Sequence, residues 1–470
     1  MNLPLFLPGM QTIIVVFFAV FAGAAVTFYL LRYKFKHSVI RKCLTIFVLT
    51  IAGLALAYIL FYTISNAIGR AKVESRLAEM RTQGIPLDKD AILPKMPEKN
   101  ADNGAFFYKA AFGFMKVSSP YKTLLDIQEN QPAFDIALWH GQARSTVEQI
   151  LKTQDIELIL KLFKQGADKP NAVYNRDYQG FETLLPELNS QRALFRLISL
   201  KSSSFGLNGK PEAGYSLICD GFKTIKQFES EPFVISQLVN IACASINIET
   251  MNSLIYSCGI SSRTALLLMA GLDKLDFNAA MIHATDGEIM NGRDVFEKII
   301  SRKKTLNECF GGNSSLIEKY GLWPFIYNDY IWYLTYMAKV RALFLKSYWL
   351  DEKQIDALNN ELSRNNLLSH YCLISAAIAM SPNLRIKTAR IESEIDAAKL
   401  TLALHIYKNQ NGTFPDSLEQ LAPGILKAIP VDPVSGKPFE YRKTDGTFKL
   451  SGVWLKEKQE EDSKKQGKIK

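Results

Sequence analysis

His283, Asp286 and Glu288 form the tightest grouping of residues that could ligate a metal or pass a proton. If the surrounding run Phe277 to Ile300 is helical, His283 and Glu288 lie about 140° apart around the helix, too far round to share one ion. Gly287 between them is also a point where the helix could break. An exposed helix end is therefore expected before a metal site. His140, His370 and His405 stand alone in sequence, and a general base needs a neighbour to orient it. Gly311-Gly-Asn-Ser-Ser lacks the lysine that a phosphate loop requires. No GxSxG, HExxH, Walker A or GxGxxG pattern is present. Cys219, Cys243, Cys258, Cys309 and Cys372 have no CxxC or zinc-like spacing. Their apolar neighbours point to buried thiols rather than disulfides. Nothing here names a reaction, and no cofactor or metal is expected.

The elements that would position these residues begin with two uncharged apolar runs, Ile13 to Leu31 and Leu44 to Ile64. Each is about the ~20 residues needed to cross ~30 Å of hydrocarbon as a helix. The connection holds Arg32, Lys34, Lys36, Arg41 and Lys42, whereas Met1 to Thr12 has no charged side chain. Short basic loops stay in the cytoplasm, so both ends are expected outside. Arg70, Lys72, Arg76 and Arg81 after the second run pull the other way, and a cytoplasmic domain behind an inverted anchor is the competing topology. The net charge of +10 divides in the same manner. Five positive charges fall in the loop and two net charges in the tail from Lys456, which leaves a folded part too weakly basic for a nucleic-acid groove.

The rest reads as a mainly α chain. Residues 1–69 form a two-helix membrane anchor, 70–104 a linker stiffened by Pro86, Pro94 and Pro97, and 105–385 a helical domain. Within that domain Ala105 to Val117 and Gln142 to Gln165 have helical spacing, and Gly166 to Gly180 is a long turn. Leu194, Leu197 and Ile198 face Leu217, Ile218, Phe222 and Ile225 across the break Asn208-Gly-Lys-Pro211, a pairing that resembles one degenerate tetratricopeptide unit. The aromatic run from Leu322 to Tyr336 is expected in the core. Residues 455–470 are expected to be a charged, disordered tail.

Residues 386–454 read as a small α+β module. Ile391, Ile395, Ala398, Leu402 and Ile406 make the seam of a helix that stops at Asn411-Gly412. Asp416 and Glu419 suggest a capping box, and Asp445-Gly446 a hairpin between Phe439 to Arg442 and Thr447 to Leu450. The segment Leu402 to Leu421 with Ile429-Pro-Val-Asp-Pro-Val-Ser-Gly-Lys-Pro-Phe-Glu-Tyr-Arg442 resembles the C-terminal part of type II secretion major pseudopilins. The residues carrying that likeness are Pro415, Asp416, Asp432, Pro433, Gly436, Pro438 and Tyr441. The middle of the chain resembles large uncharacterised bacterial membrane-anchored envelope proteins. A Phe-Thr-Leu-Ile-Glu leader is absent, and Ser451-Gly-Val-Trp stands where the family has an aspartate-rich calcium loop. The resemblance thus implies a packed cap or docking surface rather than a fibre subunit.

These readings converge on an anchored, extracytoplasmic helical protein of the bacterial inner membrane, with the lipid bilayer and an envelope protein as partners. Protein binding or scaffolding in envelope assembly or secretion is the expected role. An envelope hydrolase whose carboxylates meet only in the fold is the alternative.

Overall fold

The computed structural model describes residue 29 and residues 38–129, 141–305, 308, 323–364 and 374–467. Among them the chain is mainly helical, with one two-stranded antiparallel sheet near the C-terminus. The described α-helices of ten residues or more are α1 (Ser38–Thr82), α2 (Gly104–Val117), α3 (Ser119–Glu129), α4 (Gly141–Ile150), α5 (Gln154–Ala167), α6 (Leu188–Leu207) and α7 (Pro211–Phe228). They continue as α8 (Val234–Cys258), α9 (Ser262–Leu272), α10 (Phe277–Ile300), α11 (Trp323–Leu343), α12 (Tyr348–Arg364) and α13 (Leu384–Asn411). Strands β1 (Glu440–Thr444) and β2 (Thr447–Ser451) and helix α14 (Val453–Gly467) complete the order. The residues fall into two compact units: 1–85, 291–336 and 362–379 in the first, 86–290, 337–361 and 380–470 in the second.

In the first unit, α1 is one unbroken helix of 45 residues. Two described helices are long and apolar enough to cross a membrane, Thr45–Thr82 and Val234–Cys258, and they differ in burial. The apolar window of α1 is 0% buried, with Ile46, Phe47, Leu49, Leu54 and Phe61 all exposed. The hydroxyls of Thr50 and Thr63 donate back to the carbonyls of Ile46 (2.8 Å) and Ile59 (3.0 Å), so both are satisfied within the helix. Beyond Ile68 the same helix acquires a buried seam of Gly69, Val73, Leu77 and Met80. It reaches Thr82, past the point at residue 70 where the linker was expected to begin. The other expected span, Ile13 to Leu31, lies outside the described residues apart from Tyr29.

The remaining part of the first unit is aromatic. Phe296 stacks on Tyr330 with ring centres 4.5 Å apart, and Tyr330, Tyr333 and Tyr336 are buried. Gly292 is required there, since a Cβ would meet the Tyr333 ring at 2.2 Å. Buried Asp329 accepts the backbone N–H groups of Ile374 (2.8 Å) and Ser375 (3.3 Å).

The second unit is built on helical hairpins. α6 and α7 are joined across Asn208–Lys210, and both pack on α8; α9 and α13 close the same core. Helix α8 shows why hydropathy alone misjudges a core helix. Its buried Gln237, Asn240 and Asn247 donate to the carbonyls of Phe228 (3.0 Å), Ile225 (3.0 Å) and Ile218 (2.9 Å) on α7. These amides would be unpartnered in lipid, and here they clasp a neighbour. Gly221 makes room for one of them, because a Cβ would lie 2.6 Å from the Asn247 side chain. The helix expected from Gln142 to Gln165 is two helices, α4 and α5. Thr153 separates them in an extended conformation, and its hydroxyl bonds the Ile150 carbonyl at 2.7 Å.

The C-terminal segment set apart in sequence at residue 386 shares this unit and its core. Ile391, Ile395, Ala398, Leu402 and Ile406 are all buried, and α13 ends at Gly412 in the left-handed region (φ +79°). The hairpin pairs Thr444 with Thr447 around Asp445-Gly446. Gly446 alone takes positive φ (+73°), so this is not the doubly left-handed turn that Asp-Gly usually marks. Two expectations are corrected. No capping box forms at Asp416: a 3-10 helix spans Leu418–Leu421, and the Asp416 carboxylate pairs with Lys443 at 2.8 Å. The tail is helical to Gly467 rather than disordered, because its start is held down by specific partners. Trp454 and Lys458 both donate to Glu394 of α13 at 2.9 Å, and Arg390 lies over the Trp454 ring at 4.1 Å.

Candidate functional site

His283, Asp286 and Glu288 sit on α10, which runs through Gly287 without a break. The glycine is a point of close approach: a Cβ would lie 1.9 Å from the Pro232 carbonyl oxygen. Each of the three side chains has a structural partner. His283 Nε2 is 3.2 Å from the Ser230 carbonyl, and burial lowers its pKa. Asp286 takes Arg341 in two bonds of 2.5 and 3.1 Å, while burial pushes its carboxyl up. Glu288 accepts the N–H of Val234 at the start of α8, 3.2 Å away. They tie α10 to its neighbours, and they do not converge. Among the described residues no group of three or more histidines, cysteines or carboxylates could hold a metal.

The other sequence candidates are distributed similarly. His405 lies edge-on to Phe414 (5.4 Å) and Phe448 (6.0 Å), and burial, aided by Lys408, lowers its pKa to about 4. It is a core residue of the hairpin. His140, His370, Cys309, Cys372 and the Gly311 loop fall outside the described residues. Cys243 is buried and Cys219 half-buried, its thiol pushed up to about 11 by burial, whereas Cys258 is exposed; none is in a disulfide.

Of the pseudopilin-like residues the most deeply placed is Asp432, which is 1% exposed. Its Oδ1 accepts Ser393 Oγ of α13 (2.8 Å) and the Val434 N–H (3.1 Å). Its Oδ2 accepts Ser435 Oγ (3.0 Å) and the Val453 N–H at the start of α14 (3.0 Å). Gly436 takes positive φ (+68°) beneath the Trp349 indole, where a Cβ would lie 2.7 Å from the ring. Pro438 makes a bridge with Val431, and the Tyr441 hydroxyl donates to the Pro415 carbonyl at 2.7 Å. Pro433 lies on the loop between them. This set is a structural clasp, and it shapes one rim of a cleft.

That cleft, of about 520 Å³, is bounded by α13, by the start of α10 and by residues 344–349. Glu392 and Asp396 project from α13 one turn apart, with Arg385 and Lys399 a turn or two to either side. The Arg385 guanidinium is almost wholly buried; it donates to the Leu343 (3.2 Å) and Lys346 (3.0 Å) carbonyls and pairs with Glu392 at 3.5 Å. Asn278 donates its amide to the other Glu392 oxygen. Burial, only partly offset by Arg385, raises Glu392 to about 7. Burial likewise raises Asp396 to about 6, only partly offset by Lys399 at 4.0 Å. A larger cleft of about 650 Å³ between α7 and α9 carries several lysines, two of which are neutralised by neighbouring carboxylates. Lys223 takes Asp220 (2.7 Å) and Asp168 (3.2 Å), Lys226 takes Glu229 (2.6 Å), and Thr264 donates to Glu212 (2.7 Å).

No family model, curated protein or solved structure matches this chain. The pseudopilin likeness therefore rests on the residues quoted for it. The Glu392–Asp396 cleft was not visible in sequence, because its members come from positions as far apart as Asn278 and Glu392. The one available signal was a pair of acids four apart beside the apolar seam of a long helix.

Proposed function

We propose that this is a membrane-anchored helical protein that acts by binding a protein partner in cell-envelope assembly or secretion. The observation that carries the reading is α1: an apolar window with no protein packed on it continues without interruption into a helix with a buried seam. Such a helix puts a lipid anchor and a folded protein on one rigid element. The basic stretch Arg32 to Lys42 before its apolar window favours a cytoplasmic connection and an exported body, on the outer side of a bacterial inner membrane. The C-terminal segment, clasped by Asp432 onto α13, serves as a packed cap. Crosslinking in intact cells followed by identification of the captured protein tests the binding role; alkaline phosphatase fused after Lys470 should be active. Protease that leaves the body intact in spheroplasts until the bilayer is broken would overturn the orientation.

A hydrolase remains the second reading because Glu392 and Asp396 are raised into the range useful for acid and base catalysis. Binding stands first because both Glu392 oxygens are already engaged, by Asn278 and Arg385.

A further inference from the structure

The ionic groups of the α13 cleft can be paired off, and the pairing leaves a remainder. Arg385 belongs to Glu392 (3.5 Å), Lys399 to Asp273 (2.9 Å) and Lys346 to Asp351 (3.8 Å). Asp396 has only a share of Lys399, which lies 4.0 Å from it and 2.9 Å from Asp273. Asn278 spends its N–H on Glu392, and its Oδ1 is a buried acceptor without a partner. Asp276 at the rim adds a further carboxylate, engaged only in accepting the Ala279 N–H at 2.9 Å. The free capacity of the cleft is thus acceptor and negative, and its wall includes the Trp349 indole, 37% exposed. Carboxylates and an aromatic face are groups that recognise an alkylammonium ion. The volume suits a small ligand or one long side chain.

We propose that this cleft binds an organic ammonium group, supplied by a free polyamine or by a lysine side chain of a partner, with Asp396 as its counter-ion. Its N–H groups would be donated to the Asp396 carboxylate, with Asp276 adding a second negative charge at the rim, and its methylene chain would lie along Trp349. The inference deepens the binding role proposed above by naming the chemistry of what is bound. The anchor does not depend on it.

Calorimetric titration of the detergent-solubilised full chain at low salt, with spermidine and separately with a short lysine-containing peptide, tests the proposal. Saturable binding of at least one is expected, and the tighter one identifies the source. Asp396→Asn should weaken binding by at least about tenfold. Trp349→Leu should weaken it by about three- to tenfold. Both variants should keep the helical circular dichroism, and Lys223→Ala in the other cleft should bind as the parent does. Absence of saturable amine binding, equal competition by Mg²⁺, or an unchanged affinity in a folded Asp396→Asn would each overturn it. If the titration fails while fractionation still finds the chain in the membrane, the anchoring stands and the cleft assignment falls.

Discussion

The Ser393 hydroxyl on α13 donates to Asp432 at 2.8 Å, across 39 residues of chain. That bond, with three more to the same carboxylate, fixes the loop, the start of α14 and the long helix to one another. Asp432→Ala should leave four donors without their acceptor and lower stability by roughly 3–5 kcal/mol. Ser393→Ala should cost about 1–2 kcal/mol. Thermal unfolding of the solubilised chain measures both, and equal effects would show that the hydroxyl alone carries the tie.

Gly287 reverses an ordinary rule. In a helix interior, glycine to alanine normally stabilises by about 1 kcal/mol. Here the added methyl would collide with the Pro232 carbonyl, so Gly287→Ala should destabilise by roughly 2 kcal/mol or more. A raised melting temperature would contradict the close approach.

The two apolar helices should respond differently to charge. Leu54 is 66% exposed on α1, and arginine there should reduce the carbonate-resistant membrane fraction, since a central arginine costs about 3 kcal/mol on insertion. Leu254 is 2% exposed on α8, and arginine there should unfold the second unit without moving the chain out of the membrane. Limited proteolysis separates the outcomes.

The cleft predicts a pH dependence with a definite sign. Glu392 binds its proton more tightly folded, at about 7, than its ordinary value of 4.5 allows unfolded. Its contribution is present at low pH and is lost as pH rises from 4.5 through about 7. The effect is at most about 3 kcal/mol, and Glu392→Gln should flatten that part of the profile. His405 acts in the opposite sense: at about 4 folded against 6.5, its stabilisation is lost as pH falls below 6.5. His405→Phe should remove that acid limb.

What could be read from the residues follows from how local its cause is. The seam from Ile391 to Ile406 and the stop at Gly412 depend on helical periodicity and one φ angle, so both were legible. The tail was misjudged because a polar helix gains its order from Glu394, sixty residues away in the chain from Trp454. Arg176 was unremarked in sequence. It turns out to be buried between Glu187 and Glu231, stacked over Tyr174 at 4.7 Å, an arrangement no local pattern encodes. Asp416 and Glu419 failed for a related reason: Lys443 on β1 took the carboxylate that a cap would have used.

Helix α1 has a mechanical implication. From Ser65 to Thr82 it extends about 27 Å beyond its apolar stretch. With no joint along that length, a change in the slant of the apolar stretch, once it is set in a bilayer as proposed above, would be passed on to the unit built around its far end. A reorientation of about 20°, within the range that spans adopt to match bilayer thickness, would swing that end by about 9 Å. On that proposed placement, the thickness of the surrounding membrane would become a quantity this protein could transmit.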